Sequence, residues 1–263
     1  MSATQSAEAA YDALAFAYDE LTETYCHDEW TARLHDLALA HGLCGRRLLD
    51  VACGTGKSFL PFLRRGFTVT ASDVSEGMLR RAAAKAPEAR FVRADMRRLP
   101  VLGAFDLVTC LDDSLNYLLD PDDLRDALRA IAINLAPRGV AVWDVNTTAM
   151  YRGAFASSWA AQRGELFLAW RGCTPADLGP GGLGSVCIDV FVPDTGGAWR
   201  RSSTDHVQRH WTRAAVESAA LEAGLSVAAV HGQLPGAVLE DHLDDERHTK
   251  AVYIAVRRDP HNR

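Results

Sequence analysis

The chain has 263 residues, 48% of them hydrophobic and 24% charged, values that allow a sheet buried on both faces and exclude a disordered protein. A net charge of −6 argues against the broad positive surface that nucleic-acid binding needs. No apolar run approaches the ~20 residues that span a bilayer, and residues 1–10 lack the basic and apolar parts of a signal peptide, so a cytoplasmic protein without membrane partners is expected.

Two amphipathic helices open the chain: Tyr11, Leu14, Ala15, Tyr18 and Leu21, then Trp30, Leu34, Leu37 and Leu39, recur at helical spacing. From Arg47 onward short apolar runs alternate with amphipathic stretches. Strands are predicted over 47–53, 67–72, 89–94, 105–111 and 139–145, with helices over 59–65, 75–86 and 122–135. This alternation predicts an α/β fold with a doubly wound, mostly parallel sheet, whose ligands sit beyond the carboxyl ends of the strands. The basic residues between Arg80 and Arg98 lack interleaved aromatics and read as solvated surface. After Val145 tryptophans and glycines scatter, and an inserted antiparallel β element is predicted, with strands over 166–171, 183–192 and 199–211. A helix over 212–222 stops at Gly224, and strands over 225–231 and 249–257 close the sheet. The expected division is N-terminal helices (1–45), a core (46–152), the inserted element over the site (153–211) and closing elements (212–263). The six cysteines are scattered without a Cys-x-x-Cys pair and read as reduced thiols.

The segment Leu49-Asp50-Val51-Ala52-Cys53-Gly54-Thr55-Gly56-Lys57 is a strand running into a glycine turn that opens a helix. A phosphate loop would need glycine where Val51 stands. A dinucleotide fingerprint would need a small residue at Phe59, which counts against a nicotinamide-dependent dehydrogenase. The segment instead resembles the first motif of class I S-adenosylmethionine-dependent methyltransferases, with an acidic residue at the strand end and a Gly-x-Gly turn that lets backbone approach the cofactor. The resemblance implies a Rossmann-like methyltransferase core that binds S-adenosylmethionine and releases S-adenosylhomocysteine. It also implies that the N-terminal helices fold over the cofactor as a lid, core packing being the other reading. Asp73, ending the second strand, is placed to accept both hydrogen bonds of a ribose diol, because a carboxylate offers several lone pairs and no donor; a plain helix cap is the other reading. Asp95-Met96 matches the pair that grips adenine, the carboxylate taking the exocyclic amine. Cofactor contacts are expected from Tyr11, Tyr18, Asp50, Ala52, Gly54, Gly56, Asp73, Val74, Met78, Asp95, Met96 and Leu111.

The run Asp112-Asp113-Ser114-Leu115-Asn116-Tyr117-Leu118 lacks the Pro-Pro-aromatic motif of nucleobase amine methyltransferases, which lowers an RNA methyltransferase. It is similar to that of small-molecule N- and O-methyltransferases, including amino-sugar, glycine and natural-product N-methyltransferases. The expected partner is a small-molecule methyl acceptor, an amine ahead of an oxygen, with homo-oligomerisation open. An ammonium must lose a proton before it attacks, so Tyr18, Tyr117, Asp113 and His206 are the candidate catalytic groups, and Tyr11, Asn116, Tyr117 and Arg209 the candidate substrate contacts. His206, Gln208 and His210 share one face of a predicted strand without a third ligand, so no metal is expected. The acidic run 240–246 reads as a solvated loop.

Overall fold

The computed structural model describes residues 6–258; residues 1–5 and 259–263, the ends of the first and last predicted segments, lie outside the described residues. Helix α1 (Ala7–Leu14) starts at Ser6, whose hydroxyl accepts the Ala9 N–H at 3.3 Å. A single 3₁₀ turn links it to α2 (Tyr18–Leu21), and α3 (His27–Ala40) follows, so the first predicted helix is broken in two.

Strands β1 (Arg47–Val51), β2 (Thr68–Asp73), β3 (Arg90–Arg93), β4 (Phe105–Cys110) and β5 (Leu135–Asn146) pair in parallel, with helices α4 (Leu60–Arg64), α5 (Glu76–Lys85) and α6 (Pro121–Asn134) in the crossovers. Leu48, Leu49 and Val51 are buried on alternate faces of β1, as a sheet covered on both sides requires. After β5 come α7 (Thr148–Arg152), β6 (Ser158–Arg163), β7 (Leu166–Gly172), β8 (Leu183–Pro193), β9 (Trp199–Arg209), α8 (Arg213–Glu222), β10 (Leu225–Leu234), β11 (Val238–Glu240) and β12 (Lys250–Arg257). The main sheet has eight strands in the order β11-β10-β12-β5-β4-β1-β2-β3, the last-formed three antiparallel; β6-β7-β8-β9 form a separate four-stranded antiparallel sheet. The mostly parallel α/β core with an antiparallel addition is the predicted fold class.

Two strands escaped the sequence reading. The β6 segment Ser-Trp-Ala-Ala-Gln-Arg lacks β-branched residues and pairs only with β7, at the sheet edge. The 240–246 run is not wholly a solvated loop: Glu240 ends β11, and Asp245 accepts hydrogen bonds from Thr148 and His210.

The basic stretch also does structural service. Arg93 on β3 pairs with Glu8 on α1 at 2.8 Å, and Asp12 accepts the Gly77 N–H at the start of α5 at 2.9 Å, fastening α1 across α5. The other side of this N-terminal segment, Leu14 and Ala17, packs on Leu168, Val186, Ile188 and Val190 of the second sheet. Beneath the main sheet, Leu128 of α6 is fully buried in the cluster that holds the stacked pair Trp143 and Tyr253. Leu128→Ala is expected to lower the unfolding free energy by about 2–5 kcal/mol, read by urea denaturation, because the rigid sheet cannot collapse into the void.

Candidate active site

Three glycine-loop backbones set the first half of the site. Ala52, Gly54 and Gly56 all have positive φ, at 56°, 52° and 93°. A Cβ on Gly56 would lie 2.8 Å from the Phe59 ring, so the bulky residue that excludes the dinucleotide fingerprint is the floor under this turn. Asp73 receives the Gly54 N–H on one oxygen and the Ser75 N–H on the other, both at 2.8 Å. Its carboxyl is raised by burial, partly offset by these bonds. The Val74 N–H adds to them, and the carboxylate keeps some acceptor capacity beyond these bonds.

A cleft runs over this loop at the carboxyl ends of β1, β2 and β4. It is lined by Tyr11, Tyr18, Ala52, Gly54, Asp73, Val74, Met78, Met96, Leu111, Asp112, Ser114 and Tyr117, among others. Three expected cofactor contacts are not among its lining. Gly56 shapes the turn from behind. Asp50 is 1% exposed and accepts Ser58 and Thr109 hydroxyls at 2.6 Å each. The carboxylate of Asp95 is gripped by the Arg97 guanidinium, leaving Met96 alone of the expected pair at the cleft.

A second cavity, of about 540 Å³, adjoins the first and shares Tyr11, Tyr18, Asp112 and Tyr117 with it. Asp113, His206 and Gln208 line it, together with Tyr25, His27, Trp30, Trp159, Trp170 and Lys250. The Tyr11 hydroxyl donates to Tyr117 at 2.9 Å, and the Tyr117 hydroxyl lies 3.0 Å from His206 Nδ1. His206 Nε2 lies 3.0 Å from Thr204 Oγ1, which in turn donates to the Ile188 carbonyl. With Thr204 donating to the Ile188 carbonyl, neutral His206 carries its proton on Nε2 and accepts from Tyr117. Burial depresses the His206 imidazole to about 4 and pushes the Tyr11, Tyr18 and Tyr117 hydroxyls upward.

The opposite wall is ionic. Lys250 Nζ meets Asp144 at 2.6 Å and Asp113 at 2.8 Å, with Asp112 at 3.8 Å, and sits 5.5 Å from the Trp30 ring centre. Burial alone would lower the Lys250 ammonium, but the carboxylates outweigh it and hold it raised. Burial likewise pushes Asp144 up to about 6, whereas Asp112 ends below its usual range because His27 at 2.8 Å and Lys250 outweigh burial. Gln208 donates to Asp113 at 2.6 Å.

Two expected substrate contacts do not reach this space. Asn116 is fully buried, donating to the Arg209 carbonyl and accepting the Asn146 N–H. Arg209 points to the other face of β9, bonding the Gly181 and Leu119 carbonyls and covering Trp211. Tyr25, His27, Trp30, Asp144 and Lys250 were missed, being far apart in sequence and carrying no motif. Among the described residues Glu240, His242 and His248 bring possible ligand atoms within 4.8 Å of one another. Arg247 already forks onto Glu240 at 2.5 and 2.6 Å, and His248 Nδ1 accepts the Asp244 N–H, so its Nε2 proton faces Glu240. In this arrangement Glu240, Arg247 and His248 are tied into an ion-pair knot.

The sequence carries relatives of the same make. The model of a methyltransferase domain family matches residues 48–139. The Bacillus subtilis (strain 168) protein YqeM, named a methyltransferase, is 31% identical over 204 residues, covering 76% of this chain and 79% of that one. The chain is a class I S-adenosylmethionine-dependent methyltransferase. Of a Geobacillus sp. methyltransferase 36% identical over 143 residues, 52% of this chain and 58% of the relative are aligned. The dTDP-3-amino-3,4,6-trideoxy-alpha-D-glucopyranose N,N-dimethyltransferase of Streptomyces venezuelae is 29% identical over 193 residues, 70% of this chain and 77% of that one. A Clostridium acetobutylicum S-adenosylmethionine-dependent methyltransferase of solved structure shares the fold, with TM-score 0.78, 23% identity and coverage of 95% of this chain and 99% of that one.

The methyltransferase cofactor is S-adenosylmethionine, and the first cleft suits it chemically: one acceptor-only carboxylate at Asp73 for a diol, and Val74, Met78, Met96 and Leu111 as apolar walls for a flat base. Beneath that cleft, burial raises the Asp50 carboxyl to about 7 despite the bonds from Ser58 and Thr109. Its folded value lies above the unfolded one, so the native state binds the extra proton and stability falls as pH rises between about 4 and 7. Asp50→Asn in the methyltransferase should flatten that decline in denaturation midpoints measured across the window.

Proposed function

We propose that this methyltransferase transfers the methyl group to an amine nitrogen of a small molecule held in the second cavity. The observation that carries the proposal is the pair of carboxylates, Asp112 and Asp113, facing a cavity whose tyrosines also border the cofactor cleft. An ammonium entering from water finds counter-charges there, and aromatic faces add cation–π attraction. Sugar N-methylation by the Streptomyces venezuelae relative supports the same acceptor atom.

S-adenosylmethionine supplies an activated electrophilic methyl group, so alignment and exclusion of water are the chain's tasks. In this reading Asp73 accepts the ribose hydroxyls, while Val74, Met78, Met96 and Leu111 enclose the adenine. The hydroxyl of Tyr18 forms no hydrogen bond within the protein among the described residues and borders both cavities, so it is available to orient an amine N–H. His206 is no base for this chemistry. An imidazole at about 4 has little affinity for a proton at neutral pH, and its Nδ1 is occupied by Tyr117. Its part is to fix the direction of the Tyr11–Tyr117 chain, which leaves the Tyr11 oxygen a lone pair for a donor. The acceptor's proton goes to solvent as the amine settles, and Asp113 holds a remaining N–H.

Three outcomes test this. Asp73→Ala should weaken S-adenosylhomocysteine binding by about 1–3 kcal/mol in calorimetry, and unchanged affinity would refute its role. Tyr18→Phe should lower kcat by up to about 100-fold at unchanged cofactor affinity, since it misaims the nucleophile without opening the site. The rise of kcat/KM with pH should follow the acceptor amine's own pKa and keep its position in His206→Asn. A limb lost in that variant would restore His206 as the base.

A further inference from the structure

We infer that the acceptor is a phosphate-free cationic amine on a flat apolar body, and that amines carried on nucleoside diphosphates are disfavoured. The inference rests on the amine reading above and departs from the relative named for a dTDP-sugar.

A nucleoside diphosphate needs uncommitted cations or clustered backbone N–H groups around its phosphates. Among the described residues that line the second cavity, the cationic side chains are already matched. Lys250 is shared by Asp112, Asp113 and Asp144, and Arg163 pairs with Glu23 at 3.3 Å. His27 is engaged by Asp112, and His206 is held neutral in the tyrosine chain. Asp112 and Asp113 line the cavity and, with Asp144 and Glu23 behind the lining, make four carboxylates around the two cations Lys250 and Arg163, so a doubly charged phosphate group would enter a field of its own sign.

Two oxygens of the walls lack hydrogen-bond donors. The side-chain oxygens Asn146 Oδ1 and Gln233 Oε1, on residues lining the same cavity, are buried and without partners. Together with the carboxylates they suit a ligand rich in N–H and O–H groups. Away from this acidic end the lining is aromatic. Trp159 and Trp170 face each other across β6 and β7 with planes 8° apart, and Phe155 packs edge-on to Trp170. A cavity of about 540 Å³ so walled leaves glycine largely unpacked and offers a flat body a stacking surface.

The test uses the full chain and measures methyl transfer to tryptamine, phenethylamine, a dTDP-amino sugar and the phenol tyrosol, with dTDP as inhibitor. The arylalkylamines should exceed the dTDP-amino sugar in kcat/KM by at least about tenfold, and millimolar dTDP should leave their turnover unchanged. Trp159→Ala, at a half-exposed position on the edge strand β6, should raise the arylalkylamine KM at unchanged cofactor affinity. Glu23→Gln frees Arg163 and should make dTDP a detectable competitor. Preference for the dTDP-amino sugar, or micromolar inhibition of the wild type by dTDP, overturns the inference and leaves amine methylation standing. Methylation of tyrosol with no amine accepted overturns the amine reading beneath it.

Discussion

Lys250 is buried between three carboxylates, and the organisation of the second cavity's ionic wall follows from that cluster. It begins β12, the antiparallel strand beside β5, so its ammonium arrives level with the carboxyl ends of the parallel strands. Asp144 comes from β5 itself, and Asp112 and Asp113 follow β4 in left-handed backbone that turns their side chains toward the lysine. Taking four charges out of water is costly, and their mutual attraction offsets the cost only when all are present. Removing the lysine would leave carboxylates facing one another in a dry site. The cluster thus pins the loop after β4 to the closing strand, and its surplus of negative charge makes one end of the cavity a place for a cation.

The N-terminal segment completes the enclosure. Asp12 and Glu8 fasten α1 to the core, while Leu14 and Ala17 pack on the second sheet, so one short helix spans both. Tyr11 and Tyr18 are thereby held between the first cleft and the second cavity. The hydrogen-bond chain through Tyr117, His206 and Thr204 ends on a backbone carbonyl of β8 rather than in solvent. It therefore sets hydroxyl direction and does not conduct protons outward. A buried neutral histidine is suited to that duty, because protonating Nδ1 would remove the hydrogen bond it accepts from Tyr117 and leave a charge without hydration.

Alternation along β9 and the residue after it puts His206, Gln208 and His210 on one face and Arg209 on the other, where it lies. Asp50, at the end of an apolar strand run, was read as a cofactor contact by analogy, yet a carboxylate so deep in a parallel sheet meets hydroxyls from neighbouring elements first. Asp95 was weighed without its neighbour Arg97, two residues away and able to fork onto it.

What the sequence by itself determined was local and periodic: the alternating strands and helices, the glycine turn after β1, the acidic end of β2, and the antiparallel run beyond Val145. Each follows from side-chain period or backbone freedom over a few residues, and needs no knowledge of what lies opposite. Tertiary structure alone decided the second cavity. His27, Tyr25 and Trp30 from the start of the chain meet Asp112, Asp113 and Asp144 from its middle and Lys250 from its end. No spacing rule joins residues more than 200 positions apart, because their proximity is set by strand order and by the antiparallel return of β12 beside β5.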